Sequence, residues 1–173
     1  MLHFVVESAL NQLDNVLPFN MALSDRNGVF RMAPFGKELG DSTTSLLDAG
    51  STKNSIGVSA ITLKTAQEIA LPMHIDFLKI DIEGAEFSFI PSIKDYLSEI
   101  KPIVYLSTHS PYLAPENRRE SMCRLLDTLA IYDIRLDENL SPVSRDDLLN
   151  EKAVNDFKSL LFLDATQHQA AIE

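Results

Sequence analysis

Two short apolar runs, Ile75–Ile80 and Pro102–Ser107 (PIVYLS), bracket a stretch of helical character from Gly84 to Ile100, and this spacing constrains the chain more than any other feature. Strands joined through a helix of that length pair in parallel by a right-handed crossover, usually as neighbours. Their carboxyl ends then open on one edge of one sheet. Within the crossover, Pro91 is expected to restart the helix as its first residue, where a missing N–H costs nothing.

The flanking pattern extends the alternation. Met1–Asp14 has a loosely helical apolar spacing (Leu2, Val5, Val6, Leu10, Leu13), and Val16–Leu23 reads as a strand. Asn27-Gly28 is a turn signal, because both residue types tolerate positive φ, so Gly28–Met32 is expected to return as a second strand in a hairpin or near-hairpin. Pro34–Ser55 reads as a long loop rich in Gly, Ser, Thr and Asp. Ile56–Leu63 alternates as a strand, and Thr65–Ala70 fits a short helix stopped by Pro72. After the crossover come a helix near Glu116–Leu129, a strand at Ile131–Leu136, a helix within Arg145–Phe157 and a closing strand at Leu160–Asp164. Strands alternating with helices predict an α/β fold.

At 173 residues, 45% of them apolar, the chain can bury one core and is too short for two ordinary domains. One domain over residues 1–173 is expected, with 165–173 as a flexible tail. The 25 Asp and Glu against 15 Lys and Arg, with no basic run, argue against nucleic acid. Cys123 stands alone, so no intrachain disulfide forms, which suits a cytoplasmic protein. His3, His74, His109 and His168 lack metal-ligand spacing, and no metal site is assigned from spacing. Neither a membrane span nor a signal peptide is visible.

The chemistry concentrates at KIDIEGAE, where an apolar strand runs into Lys79, Asp81, Glu83 and Glu86, with Gly84 giving freedom for a tight strand-to-helix turn. Side chains alternate along a strand, so Phe77, Lys79 and Asp81 share a face, and the lysine in a buried strand is expected to pair with the aspartate. Open α/β sheets bind ligands outside the carboxyl ends of their strands, where Asp81 and Glu83 are expected to lie. The plainer reading makes Asp81 or Glu83 a cap of the following helix, with Glu86 complementing its dipole.

The string FLKIDIEGAE resembles the signature of the FkbM methyltransferase family, K-[apolar]-D-[apolar]-E-G-x-E, at every defined position. Ala22, Leu23 and Ser24 match a family segment in which a strand ends in Ala-Leu-Ser before a Gly-containing turn. VSAITL (Val58–Leu63) is similar to the strand before the signature, although Lys64 stands where an aspartate is common. KPIVYLSTH resembles the next family strand, which often ends in Glu-x-His; here Ser107 precedes Thr108 and His109. The strand at Leu160–Asp164 falls where the family's last strand would be.

The resemblance implies a Rossmann-like class I methyltransferase sheet with helices on both faces, S-adenosylmethionine as cofactor, and methyl transfer to a hydroxyl of a sugar or natural-product small molecule. Ala22, Leu23, Ser24 and Asp81 are then the cofactor-side candidates. Methyl transfer needs an acceptor oxygen aligned in line with the sulfur and relieved of its proton. His109 is the first candidate base, since an ordinary imidazole titrates near pH 6.5. Asp81 is expected to orient the acceptor hydroxyl or face the cofactor, held by Lys79. Glu83 would share the base role, or join Asp81 in holding a divalent cation through oxygen.

The glycine-rich turn after the first strand and the acidic residue ending the second, both expected of this class, are not in the sequence, and GxG occurs nowhere. The expectation is an N-terminally truncated sheet lacking its first two strands. Those strands would lie between Val16–Leu23 and Ile75–Ile80, leaving unpaired backbone on both sides. The chain alone is then expected to bind S-adenosylmethionine weakly or not at all. Two other readings stand beside the enzyme: a metal-dependent nucleotide-sugar transferase using Asp81 and Glu83, and a non-catalytic binding domain of the same fold.

Overall fold

The computed structural model describes residues 15–34, 44–45, 56–69 and 74–169. These residues form a mixed α/β structure with two four-stranded sheets. The N-terminal helical pattern at Met1–Asp14, and most of the loop from Pro34 to Ser55, lie outside the described residues.

The first sheet contains β1 (Ala22–Leu23), β2 (Gly28–Pro34), β3 (Thr44–Ser45) and β4 (Ile56–Ile61), in the order β1-β4-β2-β3. The expected hairpin is not formed. Ala60 of β4 is the partner of Ala22 on one side, in parallel, and of Gly28 on the other, antiparallel, so β4 lies between the two strands expected to pair. Asn27 explains the difference. Its Oδ1 accepts the Thr62 backbone N–H at 2.8 Å and its Nδ2 donates to Thr65 Oγ1 at 3.1 Å, tying the turn to the end of β4. The strand expected over Val16–Leu23 shrinks to two residues, because Pro18 has no N–H to give a ladder. Helix α1 (Leu63–Ile69) follows β4, and its Thr65 N–H is met by Thr62 Oγ1 at 3.2 Å.

The second sheet holds the crossover. Parallel strands β5 (Phe77–Ile80) and β6 (Ile103–Thr108) pair from Phe77↔Ile103 to Ile80↔Leu106, as the spacing of the apolar runs requires. Between them run α2 (Glu86–Ser92) and α3 (Lys94–Ile100). Pro91 does not restart the helix; it sits in the last turn of α2, and the break falls at Ile93, with φ −108°. Past the crossover, helix α4 (Pro115–Thr128) leads to β7 (Ile134–Leu136), and α5 (Arg145–Leu149) leads to β8 (Lys158–Leu163). Strand β8 inserts antiparallel between β6 and β7, giving the order β5-β6-β8-β7.

The core explains why these elements stay together. Met122, Leu125, Leu126 and Leu129, spaced to share one helical face, are fully buried with Ile90, Leu97, Val104, Leu106 and Phe162. Burial of each such side chain contributes about 1.5–3 kcal/mol. Leu63 of α1 belongs to the same cluster and Leu23 of β1 packs against it. Part of the expected tail is held: Asp164 Oδ1 accepts the backbone N–H of Thr166 and of Gln167, and Gln167 Nε2 donates to the Ile100 carbonyl at 2.9 Å. Among the described residues no helix is long and apolar enough to cross a membrane.

Candidate active site

Because β5 and β6 are parallel neighbours, the residues just past their carboxyl ends meet. Asp81 follows β5, His109 follows β6, and the turn through Glu83 and Gly84 carries the chain from β5 into α2. That turn is conformationally unusual. Glu83 has φ 55° and Gly84 φ 101°, so a glutamate occupies the left-handed region where glycine is normally preferred.

Glu86 fixes the turn. Its side chain is entirely buried, and its two oxygens accept backbone N–H groups, Oε2 from Gly84 at 2.8 Å and Oε1 from His109 at 2.6 Å. A buried carboxylate is tolerable only when hydrogen-bonded in this way. The sequence reading made Glu86 a complement to the helix dipole; the structure makes it the clamp between the ends of β5 and β6.

His109 is 8% exposed. Its Nε2 lies 3.5 Å from Asp81 Oδ1 and 3.5 Å from Glu83 Oε2, while its Nδ1 lies 3.4 Å from Glu86 Oε1. Nδ1 is buried without a hydrogen-bond partner. Burial would lower the imidazole's pKa, but the contact with and charge of Glu86, then the charges of Glu83 and Asp81, outweigh it and raise the pKa above 6.5. Asp81 Oδ2 also pairs with Lys79 Nζ at 3.3 Å, the pairing the strand alternation predicted. Lys79 itself is not buried: among the described residues β5 is an edge strand, and the lysine side chain is 58% exposed.

The structure thus brings Lys79, Asp81, Glu83 and His109 into one cluster. An aromatic wall that sequence reasoning missed stands beside it. The Tyr112 ring stacks on His109 with centroids 5.7 Å apart, and half-exposed Phe157 packs edge-on against both. Phe157 reaches the site from the turn before β8, so no local spacing in the sequence could announce it.

Ala22, Leu23 and Ser24 form a separate group at the end of β1. Ser24 is buried, its N–H donating to the Ile61 carbonyl at 2.9 Å. Ala22 and Leu23, with Phe19, Met21, Ile61, Ala66 and Ile69, line an apolar cavity of ≈ 180 Å³.

Comparison with curated proteins and with solved structures finds no match. A family model described as a methyltransferase FkbM domain matches residues 5–136, which takes in β1, the whole crossover and the cluster at its carboxyl edge. The chain belongs to the FkbM methyltransferase family.

Proposed function

We propose that this chain carries the acceptor side of an S-adenosylmethionine-dependent O-methyltransferase acting on a hydroxyl of a sugar or natural-product small molecule. The observation that carries the reading is the convergence of Asp81, Glu83 and His109 at the carboxyl ends of two parallel strands, where open α/β sheets bind ligands.

The fit to the cofactor is partial. The apolar side chains that line the cavity beside Ala22 and Leu23 suit a flat heteroaromatic ring such as adenine. Among the described residues no acidic side chain lines it to take up ribose hydroxyls. Among the described residues, β1 and β5 are both edge strands.

S-adenosylmethionine, when bound, supplies a methyl group activated on sulfonium. The chain's own residues then work on the acceptor. Asp81, 42% exposed, is the more open of the two carboxylates Asp81 and Glu83 and orients an incoming hydroxyl by accepting its hydrogen bond. His109 and Lys79 hold Asp81 from two sides, and Glu83 offers a second acceptor oxygen. The aromatic pair Tyr112 and Phe157 walls the site on the histidine's side.

The test is label transfer. Methyl-labelled S-adenosylmethionine is incubated with the protein and a panel of polyols and glycosides. Label in an acceptor hydroxyl is expected; label that no member of the panel acquires argues for the non-catalytic reading of the fold.

A further inference from the structure

We infer that Asp81, Glu83 and His109 form a binding site for one divalent first-row transition cation of the Mn²⁺ class. The inference rests on the reading of this cluster as the acceptor end of the active site.

Three observations carry it. First, Asp81, Glu83 and His109 each present one ligand atom, and these atoms all lie within 4.8 Å of one another. Donors sharing an ion with bonds of about 2.1 Å stand roughly 3.0–3.4 Å apart at octahedral to tetrahedral angles. The two 3.5 Å separations from His109 Nε2 therefore need to close by only tenths of an ångström.

Second, His109 is buried, its side chain 11% exposed, and its Nε2 lies 3.5 Å from a carboxylate oxygen of both Asp81 and Glu83. Its other nitrogen, Nδ1, lacks a hydrogen-bond partner yet faces the buried carboxylate of Glu86 at 3.4 Å. A metal-bound histidine typically gives its second N–H to a carboxylate, which fixes the ring and its tautomer. Glu86 stands where that carboxylate belongs.

Third, the donor set is chemically selective. One imidazole nitrogen with two carboxylate oxygens is a donor set that suits Mn²⁺ or Zn²⁺ better than Ca²⁺ or Mg²⁺. With a cation present, the acceptor hydroxyl would bind it and lose its proton to solvent more readily. The oxygen's electron pair then forms the new C–O bond as the S–CH₃ bond breaks, its electrons returning to sulfur.

The experiment is titration of the protein with MnCl₂ alone, followed by calorimetry and by the electron paramagnetic resonance of free Mn²⁺. One site per chain with a Kd below about 1 mM is expected. Affinity should fall about tenfold or more in Glu83→Gln and in Asp81→Asn, each checked for retained fold by circular dichroism. Lys79→Met, which removes the competing ammonium, should bind Mn²⁺ at least as tightly as the parent. Absence of saturable binding, or binding indifferent to both carboxylate substitutions, overturns the proposal. A methyl transfer rate unchanged in EDTA but abolished in Asp81→Asn would also overturn the cation site while leaving the acceptor-site reading intact. Mn²⁺ binding without any methyl transfer would support the site and count against that reading.

Discussion

Glu86 Oε1 accepts the backbone N–H of His109 at 2.6 Å, so a fully buried carboxylate at the start of α2 fastens the end of β6. Its second oxygen binds Gly84 N–H, and the same side chain thereby sets the Glu83-Gly84 turn. Glu86→Ala removes both bonds and leaves two donors without a partner. Hydrogen bonds to a charged group contribute about 1.5–3 kcal/mol each, with overlap between neighbours. A loss of about 3 kcal/mol in urea denaturation is expected, with Glu86→Gln intermediate. A change below about 0.5 kcal/mol would show that the clamp is not structural.

Lys79 and Asp81 make the contrasting case. Their pair is 3.3 Å long but both side chains are substantially exposed, 58% and 42%. Exposed pairs contribute about 0–1 kcal/mol. Lys79→Met is expected to move the unfolding midpoint little, and a loss above about 2 kcal/mol would contradict the exposure of β5.

Asp164 gives a pH dependence. The Lys101 ammonium bonds its carboxylate, and the N–H groups of Gln167 and Thr166 assist, holding its pKa below the ordinary value of 3.8 against a smaller opposing effect of burial. Because the folded pKa is depressed, this stabilisation is fully present above the unfolded pKa, near 4, and is lost as pH falls through the folded value. The stability difference between the parent and Asp164→Asn should be constant from pH 5 to 7, and should shrink below about pH 4. A difference that instead grew in acid would reverse the sign of the assignment.

On the proposed reading, the cavity beside Ala22 and Leu23 would set cofactor affinity. Among the described residues only apolar side chains line it, which suit a ring more than a ribose, so residues 1–173 alone should bind S-adenosylmethionine no tighter than about 100 μM. Ala66→Leu, which fills the cavity, should weaken binding further. Micromolar affinity measured by calorimetry would contradict this.

Much of the candidate site was legible in KIDIEGAE because its information is local: strand alternation set Lys79 beside Asp81, and the crossover set His109 beside Asp81. The same locality misled at Asn27-Gly28. A turn signal specifies a reversal, not the partner, and Asn27's side chain gives its bonds to Thr62 and Thr65 across a long insertion. Helix periodicity could not distinguish Pro91 as a first residue from Pro91 in a last turn, since both keep the apolar face of Phe87 and Ile90 inward. Glu86 was read only as a complement to the helix dipole, because its burial depends on donors from Gly84 and His109 that local spacing does not show. Phe157 was invisible because it arrives from a distant turn.

Assignment of Asp81 and His109 to the acceptor site is tested most directly by initial rates of methyl transfer. These are measured on the protein with any upstream residues its reading frame encodes, comparing the parent with Asp81→Asn and His109→Ala. The account predicts that kcat falls about 10²-fold or more in each, with the KM for S-adenosylmethionine nearly unchanged. Turnover left intact by both substitutions would contradict it.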